Sequence, residues 1–164
     1  MLNFAEAQPS HYQELEELAA EIWTEHYTPI IGRAQVSYML DKFQNAEAIA
    51  KQIADGAEYF LMQEDKKTIG YFSYQKRDGA LFLSKIYLLK DARGKGFGKQ
   101  AISFIAEKAK NKGLKSIALT VNKYNYNSIK AYEKMGFVTL RELVADIGEG
   151  YVMDDYWMEL SVGL

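Results

Sequence analysis

The stretch "DARGKGFGKQ", residues 91–100, sets Gly94, Gly96 and Gly98 among Arg93, Lys95 and Lys99. It directly precedes a segment with helical periodicity. The unpaired amides and dipole at a helix N-terminus attract anions, so this composition there points to a cradle for phosphate. Two better-known phosphate loops do not fit. A Walker loop needs Gly-x-x-x-x-Gly-Lys-Ser/Thr, which is absent. A dinucleotide fingerprint needs G-x-G-x-x-G straight after a strand, with an acidic residue about twenty positions on. Here the spacing is G-x-G-x-G, the "LKDA" segment intervenes, and Leu114 stands where the acid belongs. A basic surface turn is the plain alternative. Proton-handling groups lie elsewhere: Glu25 and His26 beside Trp23 and Tyr27, and Asp154 and Asp155 near the C-terminus. A solvated acidic face is the ordinary explanation of these carboxylates. Two histidines and no cysteine argue against a metal site.

The elements that must hold these residues follow from periodicity. "LNFAEA" opens as a strand. Ser10 and Gln13 have capping-box spacing for a helix. Leu15, Leu18, Ala19, Ile22 and Trp23 then recur at helical intervals as one buried stripe. "HYTPIIG" reads as a loop punctuated by Pro29 and Gly32. Two more helical segments follow, the second ending near Gly56. The period then changes to strands in "EYFLMQ" and "TIGYFSYQ". An Asp-Gly hairpin turn leads to the nearly continuous apolar run "ALFLSKIYLL", a central strand. After the glycine stretch, Ala101, Ile102, Ile105 and Ala109 mark a helix. "SIALTV" is a buried strand, "NSIKAYEKM" a short helix, and a hairpin closes the chain. The order predicts a mixed α/β (α+β) domain with one strand–helix–strand crossover in the middle.

Composition bounds the class. The 164 residues fit one domain, residues 1–164, and 48% hydrophobic content supplies a core. A net charge of −2 gives no reason to expect nucleic acid or an anionic membrane as partner. No apolar run is long enough to cross a membrane, and the N-terminus lacks a signal-peptide pattern. Absent cysteines exclude disulfides and a cysteine nucleophile, and fit a cytoplasmic setting.

Two spaced motifs carry a resemblance. Arg93, Gly96 and Gly98 form R-x-x-G-x-G after an apolar strand. Downstream, Asn125, Ser128, Tyr132, Gly136 and Phe137 match Asn-x-x-Ala/Ser-x-x-x-Tyr-x-x-x-Gly-Phe. Together these resemble the signatures of the GNAT N-acetyltransferases, with the clear match running over residues 58–137. The resemblance implies a central mixed, mostly antiparallel sheet of about seven strands flanked by helices. It implies acetyl-CoA (coenzyme A) as acyl donor and an amine as acceptor, either a small molecule or a protein amine.

The resemblance also assigns roles. The backbone of Gly94, Lys95, Gly96, Phe97, Gly98 and Lys99 would cradle the pyrophosphate, with Arg93, Lys95 and Lys99 adding charge and Lys130 a further contact. Ile86 and Leu88 would pair with the pantetheine arm, the Leu88 amide would polarise the thioester carbonyl, and Asn125 and Ser128 would complete the cofactor side. Tyr132 takes the position of the general acid that protonates the leaving thiolate. Many relatives place a glutamate base on the central strand, where this chain has Ser84 and Lys85. The proton acceptor therefore stays open among Glu25, Asp154 and Asp155. Glu25, Tyr27, Tyr38 and Ser84 are the expected acceptor-side residues. The aromatic segment "EIWTEHYTPIIG" faintly resembles that of bacterial polyamine-acetylating members. A protein acetyltransferase and a CoA-binding module without catalysis stay open, as does a homodimer, which is common in the family.

Overall fold

The computed structural model describes residues 2–163. Seven strands form a sheet in the order β1-β2-β3-β4-β5-β7-β6. They are β1 (Leu2–Glu6), β2 (Glu58–Glu64), β3 (Lys67–Arg77), β4 (Ala80–Leu88), β5 (Ser116–Asn122), β6 (Val138–Gly148) and β7 (Tyr151–Ser161). The helices are α1 (Tyr12–Ile31), α2 (Arg33–Phe43), α3 (Ala46–Ala54), α4 (Phe97–Asn111) and α5 (Tyr126–Lys134). Element types and order follow the periodicity. Neighbouring strands pair antiparallel at β1–β2, β2–β3, β5–β7 and β6–β7, while β4 and β5 run parallel across the α4 crossover. The described residues fall into two compact units. One holds the residues up to Gln75 together with Lys85–Ala101; the other holds Lys76–Ser84 and everything from Ile102 on.

In the first unit, α1 buries the stripe its spacing predicts: Leu15, Leu18, Ala19, Ile22 and Trp23. Burying each such large apolar side chain is worth about 1.5–3 kcal/mol. Its start differs from the sequence reading. A single 3-10 turn, Pro9–His11, precedes it, and the reciprocal cap joins Gln8 to His11 rather than Ser10 to Gln13. The end differs too. The helix runs through Pro29 to Ile31 and stops at Gly32, whose φ is +87°. Proline forfeits one backbone hydrogen bond. Packing offsets that loss: Trp23 and Tyr27 of α1 meet Tyr87 of β4 ring against ring at 5.3–5.9 Å. Asn45 caps α3 by accepting from the Ala48 amide at 2.7 Å.

In the second unit, β5 is buried at Ile117, Ala118, Leu119 and Val121. The turn into β4 has Asp78 at φ 51° and Gly79 at 82°, both in the left-handed region that an Asp-Gly hairpin turn requires. On β7, Trp157 stacks on Phe82 at 5.5 Å. Arginines lie over both rings, Arg141 at 4.3 Å from Trp157 and Arg77 at 4.9 Å from Phe82. Among the described residues, no helix is long and apolar enough to cross a membrane.

Candidate functional site

The glycine stretch becomes a short 3-10 turn, Lys90–Ala92, then an open loop, then α4. Gly94 has φ +77° and Gly96 +83°, conformations that residues with a Cβ rarely adopt. A Cβ added at either would meet nothing within 4 Å. Glycine is thus required here by backbone conformation, and the space above the loop is open. The first bond of α4 runs from the Gln100 amide to the Gly96 carbonyl at 3.1 Å. The amides just before Gln100 therefore have no intrahelical acceptor. Lys95 and Lys99 are exposed on this loop, and Phe97 is the buried anchor that fixes it. Gly98 already lies within the helix. These features suit a diphosphate: consecutive amides, a helix dipole and two exposed cations.

The end of β4 leads into this loop. The Leu89 amide donates to the Ile69 carbonyl at 2.8 Å, and a Cβ at Gly70 would overlap the Tyr87 carbonyl oxygen. The Tyr87 carbonyl and Leu89 amide thus face β3. Strand alternation then turns the backbone groups of Ile86 and Leu88 away from β3. Arg93 is drawn inward. Its Nη2 lies 2.6 Å from Glu25 Oε1, and its Nε donates to the Leu88 carbonyl at 3.1 Å. The hydrogen bond from Arg93 to Glu25, chiefly, holds the Glu25 carboxyl below its usual 4.5. Glu25, expected on the acceptor side, thereby braces the glycine loop.

Tyr27 and Tyr87 share a hydroxyl–hydroxyl hydrogen bond of 3.1 Å, and the buried Trp23 indole donates to Tyr71 Oη at 3.1 Å. Tyr38 receives the chain's own cation, since Lys42 Nζ donates to its hydroxyl at 3.2 Å and lies 5.5 Å from its ring centre. Ser84 is half-buried on β4. Next to it, Lys85 donates to Gln52 Oε1 at 3.1 Å and lies over the Tyr59 ring. Burial without a carboxylate partner pulls its ammonium from 10.5 to about 8. The burial of Lys85 and the Tyr27–Tyr87 pair were missed from sequence. The residue alternation of β4, which puts Lys85 and Tyr87 on one face, was the signal available.

The second unit carries the downstream motif. Asn125 is 5% exposed and precedes α5, and its side chain is not spent on capping that helix. Its amide donates to the Asn122 carbonyl at 3.0 Å, tying α5 to the end of β5. Ser128 is half-buried and Lys130 exposed. Tyr132 is half-buried, with its ring 5.5 Å from Phe137. Gly136 turns the chain at φ +105°.

Adjacent aspartates on β7 meet opposite fates. Successive strand residues face opposite sides. Asp154 lies with Lys123, whose Nζ is 2.7 Å from Asp154 and 3.0 Å from Glu142 and stands over the Tyr156 ring. These hydrogen bonds hold the Lys123 ammonium well above its usual range. Asp155 is only 4% exposed, in register with Asn122 on one side and Leu143 on the other. It has a hydrogen bond with Thr120 and, among the described residues, no ion pair. Burial, reinforced by the Asp154 charge, lifts its carboxyl from 3.8 to about 6. Among the described residues, no group of three or more His, Cys, Asp or Glu could hold a metal ion.

A loop of this shape at a crossover helix, with the second motif on the next helix, defines a class. The family model for the acetyltransferase (GNAT) family matches residues 12–137, so the chain belongs to that family. It is 25% identical over 127 residues to the uncharacterised N-acetyltransferase YobR of Bacillus subtilis, covering 77% of this chain and 49% of that protein. It is 34% identical over 73 residues to the thialysine N-ε-acetyltransferase of Bos taurus, covering 44% of this chain and 43% of that protein. The chain thus spans less than half the length of these two curated relatives. Its fold matches the crystal structure of the PaiA N-acetyltransferase of Thermoplasma acidophilum, solved with coenzyme A. That match has a TM-score of 0.83 at 19% identity, over 98% of this chain and 99% of that one.

Proposed function

We propose that the chain is an acetyl-CoA-dependent N-acetyltransferase that transfers the acetyl group to the primary amine of a small molecule, its residues 1–164 acting as one catalytic domain. The observation that carries this reading is the left-handed Gly94–Lys95–Gly96 turn opening onto the N-terminus of α4. Residues 94–99 would bind the CoA diphosphate through backbone amides, each charge-assisted bond worth about 1.5–3 kcal/mol. Lys95, Lys99 and Lys130 would add screened charge. Ile86 and Leu88 would offer backbone groups to the pantetheine arm, helped by Asn125 and Ser128. The Leu88 amide would polarise the acyl carbonyl. Tyr132 would protonate the departing thiolate. Arg93, expected to add charge at the diphosphate, would from its contacts with Glu25 and the Leu88 carbonyl also brace the loop. A small-molecule acceptor is supported by the relative that acts on thialysine and by the aromatic segment around Trp23 and Tyr27.

The test is calorimetric binding of acetyl-CoA to the chain. Thiol release is then followed with spermidine, spermine, thialysine, lysine and an alanine-initiated peptide. Binding with release on a free amine supports the proposal. Release on the peptide alone makes the chain a protein acetyltransferase. Binding without release makes it a CoA-binding module. No binding removes the reading altogether.

A further inference from the structure

The transfer has a proton problem. A primary ammonium ionises near pH 10.4, so its nucleophilic form is scarce at neutral pH. The sequence leaves three carboxylates to solve it, and the structure disposes of two. Glu25 is 2.6 Å from Arg93, and Asp154 is 2.7 Å from Lys123. A carboxylate held in an ion pair is a weak base. We propose that Asp155 receives the proton from the acceptor ammonium; this rests on the acetyltransferase reading and names the base it lacks.

The placement of Asp155 supports the assignment. It sits at the end of the β5–β7 pairing, opposite Asn122, whose carbonyl holds the Asn125 turn at the start of the helix that carries Tyr132. One compact unit thus holds both proton-handling groups. On its own face of the sheet, the cross-strand neighbours of Asp155 are the uncharged Asn122 and Leu143, with Thr120 as hydrogen-bond partner and Trp157 two residues on. Arg141 is engaged over Trp157. On the opposite face Lys123 is shared between Asp154 and Glu142, which leaves that cluster with an excess of negative charge, with Tyr156 beneath Lys123. Asp155 is therefore a buried carboxylate with no ion pair among the described residues; the Lys123 charge that favours its ionised form is outweighed by burial and by Asp154, which leaves it complementary to an incoming cation. Its elevated pKa near 6 leaves it ionised at neutral pH yet far more basic than an exposed aspartate.

The bookkeeping closes. The ammonium yields one proton to the Asp155 carboxylate, and its nitrogen lone pair forms the C–N bond as the C–S bond breaks. The sulfur takes the proton of Tyr132. The nitrogen's second proton restores Tyr132, and Asp155 passes its own to solvent. One ammonium and one thioester become one amide, one thiol and one released proton.

The test compares the full chain with Asp155→Asn and Asp155→Glu, using whichever amine of the panel above the unaltered chain consumes, at pH 5.5–9.5. The unaltered chain should show kcat/KM rising through about pH 6 and then level, because the dominant ammonium form is productive. Asp155→Asn should lose the plateau. Its kcat/KM should climb tenfold per pH unit, about 100-fold or more below the unaltered chain at pH 7 and converging toward it in alkali. Asp155→Glu should restore a plateau. Acetyl-CoA affinity, measured by calorimetry, should stay within about twofold in both variants, which separates lost chemistry from lost folding. A plateau retained in Asp155→Asn, or a tenfold climb already present in the unaltered chain, overturns the base and leaves the acetyltransferase reading standing. Acetyl-CoA binding without turnover of any amine removes that reading, and the base with it.

Discussion

Asp155 should destabilise the fold that carries it, and replacing it should show by how much. The perturbation is Asp155→Asn, which keeps the side-chain shape and an oxygen that can accept from Thr120. In the folded chain the carboxyl ionises near 6 rather than 3.8. Each pH unit is worth about 1.36 kcal/mol, so holding the ionised form in place costs about 3 kcal/mol at pH 7.5. The sign follows from proton counting. Between 3.8 and 6 the folded chain keeps a proton that the unfolded chain has released, so stability falls as pH rises through that window. Below 3.8 both states are protonated and the cost vanishes. The variant should therefore be more stable by about 2–3 kcal/mol at pH 7.5, by about half of that near pH 5, and equal near pH 3.5. Urea unfolding across this range, followed by tryptophan fluorescence, measures it. Trp157 reports on the unit of Asp155 and Trp23 on the other. A stability difference that does not change with pH, or a variant weaker at pH 7.5, would refute the reasoning: the carboxylate would then be paired after all.

Three further outcomes test other parts of the molecule. Tyr132→Phe should lower kcat by about 100-fold or more with acetyl-CoA affinity unchanged; equal turnover across pH would remove the acid role. Glu25→Gln releases Arg93 from its ion pair and should raise the calorimetric Kd for acetyl-CoA about two- to fivefold, the range for partly exposed pairs, with the unaltered chain losing the same support as pH falls below 4.5. An unchanged Kd would mean that the pair does not brace the loop. Gly70→Ala drives a Cβ into the Tyr87 carbonyl oxygen on the neighbouring strand and should cost about 1–3 kcal/mol in urea unfolding; a neutral result would mean that β3 and β4 do not meet this closely.

What could be read from sequence was local. The α1 stripe, the Asp78–Gly79 turn and the glycine loop each depend on residues within a few positions, and each appears as its spacing predicts. The long-range pairings could not be read. Glu25 and Arg93 lie on elements far apart in the chain, and nothing in either segment names the other. Pro29 misled for a related reason. Its local cost is visible in sequence, whereas the ring packing of Trp23 and Tyr27 on Tyr87 that offsets it comes from β4. Strand alternation alone could have separated Asp154 from Asp155. Which face is buried, however, depends on Thr120, Asn122 and Leu143 arriving from other strands.

Contacts within the first unit also change how a cationic acceptor would be held. Two of the groups expected to attract it are engaged by the chain's own cations: Glu25 by Arg93 and Tyr38 by Lys42. A ring with a lysine already against it offers little further cation–π attraction, because a second positive charge is repelled at short range. Attraction at Glu25 is likewise largely neutralised. Within the first unit, Trp23, Tyr27 and Tyr87 therefore offer aromatic surface rather than net negative charge. Under the proposal above, electrostatic selection of an ammonium would fall to Asp155, which, of the three carboxylates the sequence singled out, is the one without an ion pair among the described residues. Binding the ammonium and accepting its proton would then be one task, because the same burial, reinforced by the Asp154 charge, that raises the carboxyl pKa favours an incoming cation beside it.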